Sequence, residues 1–474
     1  MIKRQHLPKN ICKLTIKPVR LLKLFILFIG MIISELPANS QPYQPTWESL
    51  SSRPIPQWFT DAKFGIFIHW GLYSVPSWAT QSNADGFGSN YAEWYWERLN
   101  NKKLKIHKDF VEFHQKNYGP HFKYQDFAGL FKAELFDPEL WAKIFKESGA
   151  KYVVLTSKHH DGFALWPSRE SWNWNAADVG PHRDLAGDLS RAVKNAGLHM
   201  GFYYSLYEWY NPLYRTDVNQ YVNNHMLPQM KDLVNRYQPD IIWPDGEWDH
   251  SDSVWRSREF LAWLYNQSPV KNTVVTNDRW GGGRKNGGFT TTEYGKGNAS
   301  MTHPWEECRG IGESFGFNRN ENLEQYQTSQ QLVTMLIDIV SRGGNLLLNI
   351  GPAADGTIPV IMQQRLKDMG DWLQINGEAI YGTKPWTDSP KYAEKNVYYT
   401  RKGEDLYVLL TQWKEKIDLP LTSFKNLSLL GYNGKVSFTK RGRLVQIQAP
   451  AVSPATNPSP YAWVYKITGA FTDQ

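Results

Sequence analysis

The residues best placed to do chemistry are carboxylates set among aromatic rings. In Asp240-Ile-Ile-Trp-Pro-Asp245-Gly-Glu-Trp248 an apolar run ends in Asp245, glycine follows at once, and Trp243 and Trp248 flank the carboxylate. Buried parallel strands read as short apolar runs, and barrel enzymes carry their catalytic groups where such strands end. Aromatic faces cover the apolar C–H patches of a pyranose, so this setting suits attack on a sugar. The bland alternative is that Asp245 merely caps the turn at Gly246. Four other strand-like runs end in polar groups: His69-Trp-Gly71, Ser157-Lys-His-His-Asp-Gly-Phe163, Tyr203-Tyr204-Ser205 and Asn277-Asp-Arg-Trp280. A lone histidine at a strand end is ordinarily a satisfied core residue, but in a barrel all five ends converge on one rim.

Three reaction classes compete for these groups. Metal hydrolysis would use His159, His160 and Asp161, yet adjacent residues on a strand point to opposite faces and no second spaced cluster is present. Nucleophilic serine or cysteine chemistry lacks a Gly-x-Ser-x-Gly elbow, and no motif surrounds Cys308. Carboxylate-pair glycoside hydrolysis needs one ionised and one protonated acid. Asp245 is the natural first member, and spacing leaves Glu93, Glu247, Glu293, Glu306 and Glu307 open as the second.

The elements that must hold these groups follow from the pattern. Strand candidates are Phe64–Ile68, Tyr152–Thr156, Met200–Tyr204, Asp240–Trp243, Thr273–Thr276 and Asn345–Asn349. Helical spacing runs through Pro138–Ser148, Leu185–Ala196, Val222–Tyr237, Val254–Tyr265 and Gln330–Val340, with Gly149 and Gly197 as C-terminal stops. Strand–helix alternation over roughly 330 residues predicts an α/β fold, a (β/α)8-like TIM-type barrel rather than a doubly wound sheet. Beyond Trp386 the texture changes to short alternating runs separated by turns: Asn396–Thr400, Asp405–Leu410, Lys435–Thr439, Leu444–Ile447 and Tyr461–Tyr465. That predicts a C-terminal antiparallel β-sandwich whose plain role is to buttress the barrel. The expected organisation is a signal peptide over 1–40, a catalytic barrel over 41–384 and the sandwich over 385–474. The Gly281-Gly-Gly283 cluster lacks the spacing of a dinucleotide or phosphate loop.

The 474 residues are 14% aromatic, a richness common where carbohydrate is handled. The formal charge of +7 misleads, because residues 1–40 hold seven basic side chains against Glu35 alone. The remainder is nearly neutral, and no nucleic-acid partner is expected. The basic stretch leads into the apolar run Leu24–Ile33 and then Ala38-Asn-Ser40, a small-x-small cleavage pattern. An apolar run of about ten residues is too short to span a bilayer, so no membrane association is expected once the signal is removed; an uncleaved anchor is the alternative. Cleavage after Ser40 removes Cys12 and leaves Cys308 as the single thiol, which excludes an internal disulfide. The expected compartments are secreted, periplasmic or lysosomal. Asn298-Ala-Ser300 and Asn426-Leu-Ser428 fit the glycosylation sequon, which matters only in a eukaryotic host.

Longer stretches carry a resemblance. Trp58 to Pro76 (Trp-Phe-Thr-Asp-Ala-Lys-Phe-Gly-Ile-Phe-Ile-His-Trp-Gly-Leu-Tyr-Ser-Val-Pro), Ser157 to Phe163, Trp243 to Trp248, Asn277 to Trp280 and Asn345-Leu-Leu-Leu-Asn-Ile-Gly-Pro352 together resemble α-L-fucosidases of glycoside hydrolase family 29. The resemblance covers the chain from about residue 43 onward. It implies a retaining exo-glycosidase that releases terminal α-L-fucose from an oligosaccharide or glycoprotein glycan through a covalent fucosyl-enzyme. It implies no metal and no organic cofactor, and leaves a homo-oligomer open. Carried over residue by residue, Asp245 matches the nucleophile and Glu293, in Thr292-Glu-Tyr294, matches the acid/base. Glu306, in Trp305-Glu-Glu-Cys308, is the rival acid/base. His69, Glu93, Trp94, His159, His160, Tyr203, Arg279 and Phe315 match substrate-binding positions. The implied roles are hydrogen bonds from His69, His160 and Glu93 to ring hydroxyls, with Phe315 and Trp94 against the 6-deoxy methyl group. The alternatives are a catalytically inactive fucose-binding protein and a glycosidase of narrower linkage or for a related L-sugar.

Overall fold

A computed structural model describes residues 42–283, 287–295, 303–392 and 394–471. The expected signal segment 1–40 and the Asn298 sequon lie outside them. Eight parallel strands form one curled sheet: β1 Phe64–Ile68, β2 Tyr152–Lys158, β3 His199–Ser205, β4 Ile241–Asp245, β5 Val275–Thr276, β6 Thr290–Glu293, β7 Trp305–Gly310 and β8 Gly344–Ile350. Their spatial order is β5-β4-β3-β2-β1-β8-β7-β6. The two edge strands approach each other where Asn277 bridges Phe289 in parallel, with the Phe289 N–H donating to the Thr276 carbonyl at 3.0 Å. The ring is therefore closed by a thread of pairing rather than a full ladder.

Two apolar layers hold the ring. Outward-facing Ile66, Val153, Leu155, Phe202, Ile242, Leu346 and Leu348 are buried among the surrounding helices. Inward-facing Phe67, Tyr152, Val154, Tyr203, Ile241, Trp243, Cys308 and Leu347 fill the interior. Gly65 is required here: a Cβ on it would lie 2.3 Å from the Tyr152 ring, so the missing side chain makes room for a tyrosine in the barrel axis.

Among the helices of the described residues that pack outside the sheet are α1 Pro138–Glu147, α2 Leu185–Asn195, α3 Leu227–Tyr237, α4 Ser257–Asn266, α5 Ser329–Ser341 and α6 Val360–Asn376. Local chemistry starts them. Asp137 caps α1 by accepting from the Leu140 N–H, Asp184 caps α2 through Gly187, and Thr328 forms a capping box with Gln331 on α5. Each such cap contributes about 1 kcal/mol. The expected single helix Val222–Tyr237 begins instead with a π-turn over Val222–Met226, just ahead of Pro228, whose missing N–H and ring disfavour regular continuation. The expected helix Val254–Tyr265 is broken at Arg256, which takes a left-handed conformation (φ 53°).

Two barrel strands lie outside the expected set. β6 reads Thr-Thr-Thr-Glu and β7 Trp-Glu-Glu-Cys-Arg-Gly, so neither shows an apolar run. Among the described residues no helix follows β5 or β6, which removes the alternating rhythm that betrays the other strands.

The C-terminal strands are β9 Lys384–Pro385, β10 Val397–Lys402, β11 Asp405–Leu410, β12 Lys416–Leu419, β13 Asn426–Leu429, β14 Ser437–Arg441, β15 Leu444–Gln448 and β16 Trp463–Thr468. They form two antiparallel sheets, β13-β16-β11-β10-β9 and β12-β15-β14, around Val408, Leu410, Leu419, Ile447, Tyr465 and their neighbours. β12 and β13 are too short to stand out in the sequence. One face of the larger sheet packs on α5 and α6, where Gln330 Nε2 donates to the Tyr461 carbonyl (2.7 Å) and Trp372 Nε1 to that of Ala462 (3.0 Å).

Candidate active site

β4 delivers Asp245 to the C-terminal rim and then stops, because Gly246 turns with φ +73°. A Cβ there would sit 2.5 Å from Tyr207 Cβ, so only glycine fits this turn. Tyr203, on neighbouring β3, donates its hydroxyl to Asp245 Oδ2 at 2.8 Å. Arg279, just past β5, donates Nη1 to Oδ1 at 2.5 Å. Burial pushes the Asp245 carboxyl up, but the Arg279 guanidinium and the Tyr203 hydrogen bond outweigh it and hold the carboxyl below its ordinary value. Asp245 is thus an ionised group in a dry setting. Arg279 is itself fixed: Nε donates to Thr291 Oγ1 (3.1 Å), whose hydroxyl donates to Asp278 Oδ1 (2.8 Å), and the guanidinium lies 4.7 Å over the Trp243 ring.

The two rival partners of Asp245 occupy different places. Glu293, the last residue of β6, lines the same cavity as Asp245, and its Oε2 lies 3.4 Å from Arg279 Nη2. One guanidinium therefore touches both carboxylates. Its side chain is 26% exposed, so a substrate oxygen can reach it. Glu306 on β7 is fully enclosed below the cavity, where Tyr152 OH donates to Oε2 (2.6 Å) and Trp243 Nε1 to Oε1 (2.8 Å). Burial pushes Glu306 up to about 7. That elevation marks a carboxyl in the barrel interior, with both oxygens already engaged, rather than an acid facing a substrate.

His159 and His160 correct the sequence reading. The expectation that neighbours point to opposite faces fails because β2 ends at Lys158 and both histidines lie in the turn beyond it. Their rings are 4.1 Å apart and line one cavity. Asp161 turns away, accepting from Tyr124 OH (2.7 Å) and the Phe163 N–H (3.1 Å). Among the described residues no three His, Cys, Asp or Glu side chains converge as metal ligands.

Hydrogen bonding fixes two imidazoles. The Ser205 hydroxyl donates to the Tyr207 carbonyl (2.7 Å), so at 2.6 Å it accepts from His160 Nδ1–H. Asn349 donates Nδ2 to the Phe315 carbonyl (2.7 Å), so its Oδ1 accepts from His69 Nδ1–H at 2.6 Å. In both rings Nε2 is left as a bare acceptor. Burial lowers His69 to about 4 and His160 to about 3, which keeps both neutral at ordinary pH. His160 Nε2 lies 3.9 Å from Asp245 Oδ2.

The cavity measures about 380 Å³ and is also lined by Phe67, Tyr91, Glu93, Trp94, Trp248, Cys308 and Phe315. Phe315 stacks on His69 (centroids 4.9 Å) and meets Tyr91 edge-on at 5.3 Å, giving one apolar wall. Glu93 accepts from the Gly316 N–H (2.8 Å) and is pushed up to about 7 by burial. Cys308 is a thiol rather than a thiolate, because burial raises it well above its ordinary value. All of His69, Glu93, Trp94, His159, His160, Tyr203, Asp245, Arg279, Glu293 and Phe315 border this one cavity, whereas Glu306 does not. Sequence reasoning missed the residues that orient them: Ser205, Asn349, Thr291 and Asp278. Ser205, Asn349 and Asp278 show only as polar residues at or near strand ends, and Thr291, inside β6, gives no such signal.

The family model described as Alpha-L-fucosidase matches residues 30–378, and that of the Alpha-L-fucosidase C-terminal domain matches 391–468. An alpha-L-fucosidase of Branchiostoma floridae is 44% identical over 93% of this chain and 99% of its own length. The tissue alpha-L-fucosidase of Homo sapiens is 42% identical over 94% of this chain and 97% of its own. Solved structures of Thermotoga maritima alpha-fucosidase cover 90% of this chain and 100% of their own. The one in complex with fucose is 37% identical with a TM-score of 0.73, and the one with a mechanism-based inhibitor is 38% identical with 0.74. Matches of this extent, over a barrel whose rim gathers two carboxylates on one arginine, establish that the chain belongs to the α-L-fucosidase family.

Proposed function

We propose that this enzyme hydrolyses terminal α-L-fucosides with retention, Asp245 serving as nucleophile and Glu293 as acid/base. The observation that carries the assignment is the Arg279 fork, with Nη1 on Asp245 and Nη2 beside Glu293 in one cavity. In the first step Asp245 Oδ attacks the anomeric carbon while Glu293 passes its proton to the leaving oxygen. In the second step Glu293 takes a proton from water, which attacks the same carbon and frees Asp245. Arg279 favours the ionised form of Asp245 before attack, and becomes available to Glu293 as the Asp245 charge is consumed. Bare Nε2 atoms on His69 and His160 accept from sugar hydroxyls. The Phe315 and Tyr91 wall takes the 6-deoxy methyl group.

The substrate in this reading is a fucosylated glycan that enters by its non-reducing fucose. Residues 1–40 act as an export signal, 41–384 as the catalytic unit and 385–474 as the sandwich that braces α5 and α6. Among the described residues no helix is long and apolar enough to cross a membrane. Following an aryl α-L-fucoside by proton NMR tests the function: α-fucose should be the first anomer to accumulate. Initial β-fucose would overturn retention, and tight fucose binding without turnover would make the chain a binding protein.

A further inference from the structure

A second cavity, of about 460 Å³, opens at the N-terminal ends of the strands, away from the catalytic rim. Lys63, immediately before β1, lines it and is only 4% exposed. Among the described residues no carboxylate lies within ion-pair distance of its ammonium, and it makes no side-chain hydrogen bond. Burial lowers its pKa to about 8, against a weaker opposing influence from Asp61. Lys384 on β9 lines the same cavity, and its charge bears on Lys63 in the unfavourable sense. Among the described residues Asp61 is the single carboxylate on the wall, so two cations face one anion.

The Lys63 side chain is buried along its length while its ammonium, without a hydrogen-bond partner among the described residues, is reached through the cavity, and a like charge sharing that cavity disfavours its charged form. The backbone sharpens the point. Lys63 closes the helix Gln57–Ala62 in a left-handed conformation (φ 62°), where glycine is preferred, yet the position carries a long cationic side chain pointed at a cavity. The Thr387 hydroxyl, also on the wall, has no acceptor among the described residues and is free to donate. We propose that this cavity binds a tetrahedral oxyanion, phosphate or sulfate, between Lys63 and Lys384, at a site separate from fucoside hydrolysis. Its volume admits either the free ion or the same group borne on a sugar.

Equilibrium dialysis of the full chain with radiolabelled inorganic phosphate tests the site, with parallel arms of inorganic sulfate and N-acetylglucosamine 6-sulfate as competitors at constant ionic strength. One saturable equivalent is expected, displaced by sulfate and not by chloride. Preference for the sulfated sugar over free sulfate would assign the anion to a glycan, and the reverse to the free ion. Lys63→Met should weaken phosphate binding at least about tenfold, because a charge-assisted hydrogen bond is lost. Lys384→Met, on an exposed edge strand, should weaken it severalfold with folding intact, and decides the matter if Lys63→Met does not fold. Aryl-fucoside turnover should be unchanged in both. Absence of saturable binding up to about 10 mM phosphate, weaker than a charge-assisted site of two cations should give, overturns the proposal. So does undiminished binding in the Lys384→Met protein.

Discussion

Glu306→Gln separates the two carboxyls that compete for the acid/base role. Glu306 is fully buried between Tyr152 and Trp243, and its carboxyl rises to about 7 from an ordinary 4.5. In the native protein it therefore keeps its proton up to about neutrality, and a neutral glutamine of nearly the same shape replaces it with little cost. The unfolded chain releases that proton from about pH 4.5 upward. Between those values the native state binds more protons than the unfolded state, so the wild type loses stability as pH rises. The shift of 2.5 units, at 1.36 kcal/mol each, amounts to about 3 kcal/mol. The stability difference between Glu306→Gln and wild type should move in the variant's favour by about that amount from about pH 4 to about pH 8, and then level off. Urea unfolding at several pH values measures it. In parallel, kcat for Glu306→Gln should stay within about tenfold of wild type on good and poor leaving groups. Glu293→Gln should lose about 10²- to 10⁴-fold on the poor one. A pH-independent stability difference, or a Glu306→Gln defect that deepens with a poorer leaving group as strongly as that of Glu293→Gln, would refute the placement of Glu306.

Other changes probe the residues around the cavity. Arg279→Met strands Asp245 as a buried charge and should destabilise by about 3–5 kcal/mol, read by denaturant unfolding; because Asp245 then ionises less readily, the acid limb of kcat/KM should also move to higher pH. Ser205→Ala and Asn349→Leu release the Nδ1–H of His160 and His69 and let either tautomer face the sugar. Each should cost about 1–2 kcal/mol in kcat/KM, roughly five- to thirtyfold, with folding retained. Phe315→Ala should lower the preference for α-L-fucosides over α-L-galactosides, which carry a hydroxymethyl group, by about 1–3 kcal/mol, measured as the ratio of kcat/KM values.

The parts of this molecule legible in its sequence are those where burial writes an apolar pattern. β1 and β11 coincide with the apolar runs that predict them, because those strands are packed on both faces. β6 and β7 escape because polar side chains occupy their inward positions: Glu293, Glu306 and Cys308 stand where β2 and β8 carry Val154 and Leu347. The rim residues were legible as polar groups at strand ends, and the motifs of the resemblance named most of them. What spacing could not supply is depth along the strand. Glu293 and Glu306 lie on adjacent paired strands, yet Thr291 rather than Glu293 is level with Glu306, so Glu293 reaches the rim while Glu306 stays below it. The turn after Lys158 likewise defeats the period-two rule, since a two-residue alternation holds only while the strand lasts.

In the proposed mechanism Asp245 forms the bond to the sugar. Incubation with a 2-deoxy-2-fluoro-L-fucosyl fluoride, whose fluorine slows the second step more than the first, should accumulate the glycosyl-enzyme. Peptic digestion and mass spectrometry should then find one added fluorofucosyl group, on the peptide containing Asp245 and on that side chain. A label on Glu247, Glu293 or any other carboxylate would contradict the account, as would turnover of the reagent by an Asp245→Gly protein at the wild-type rate.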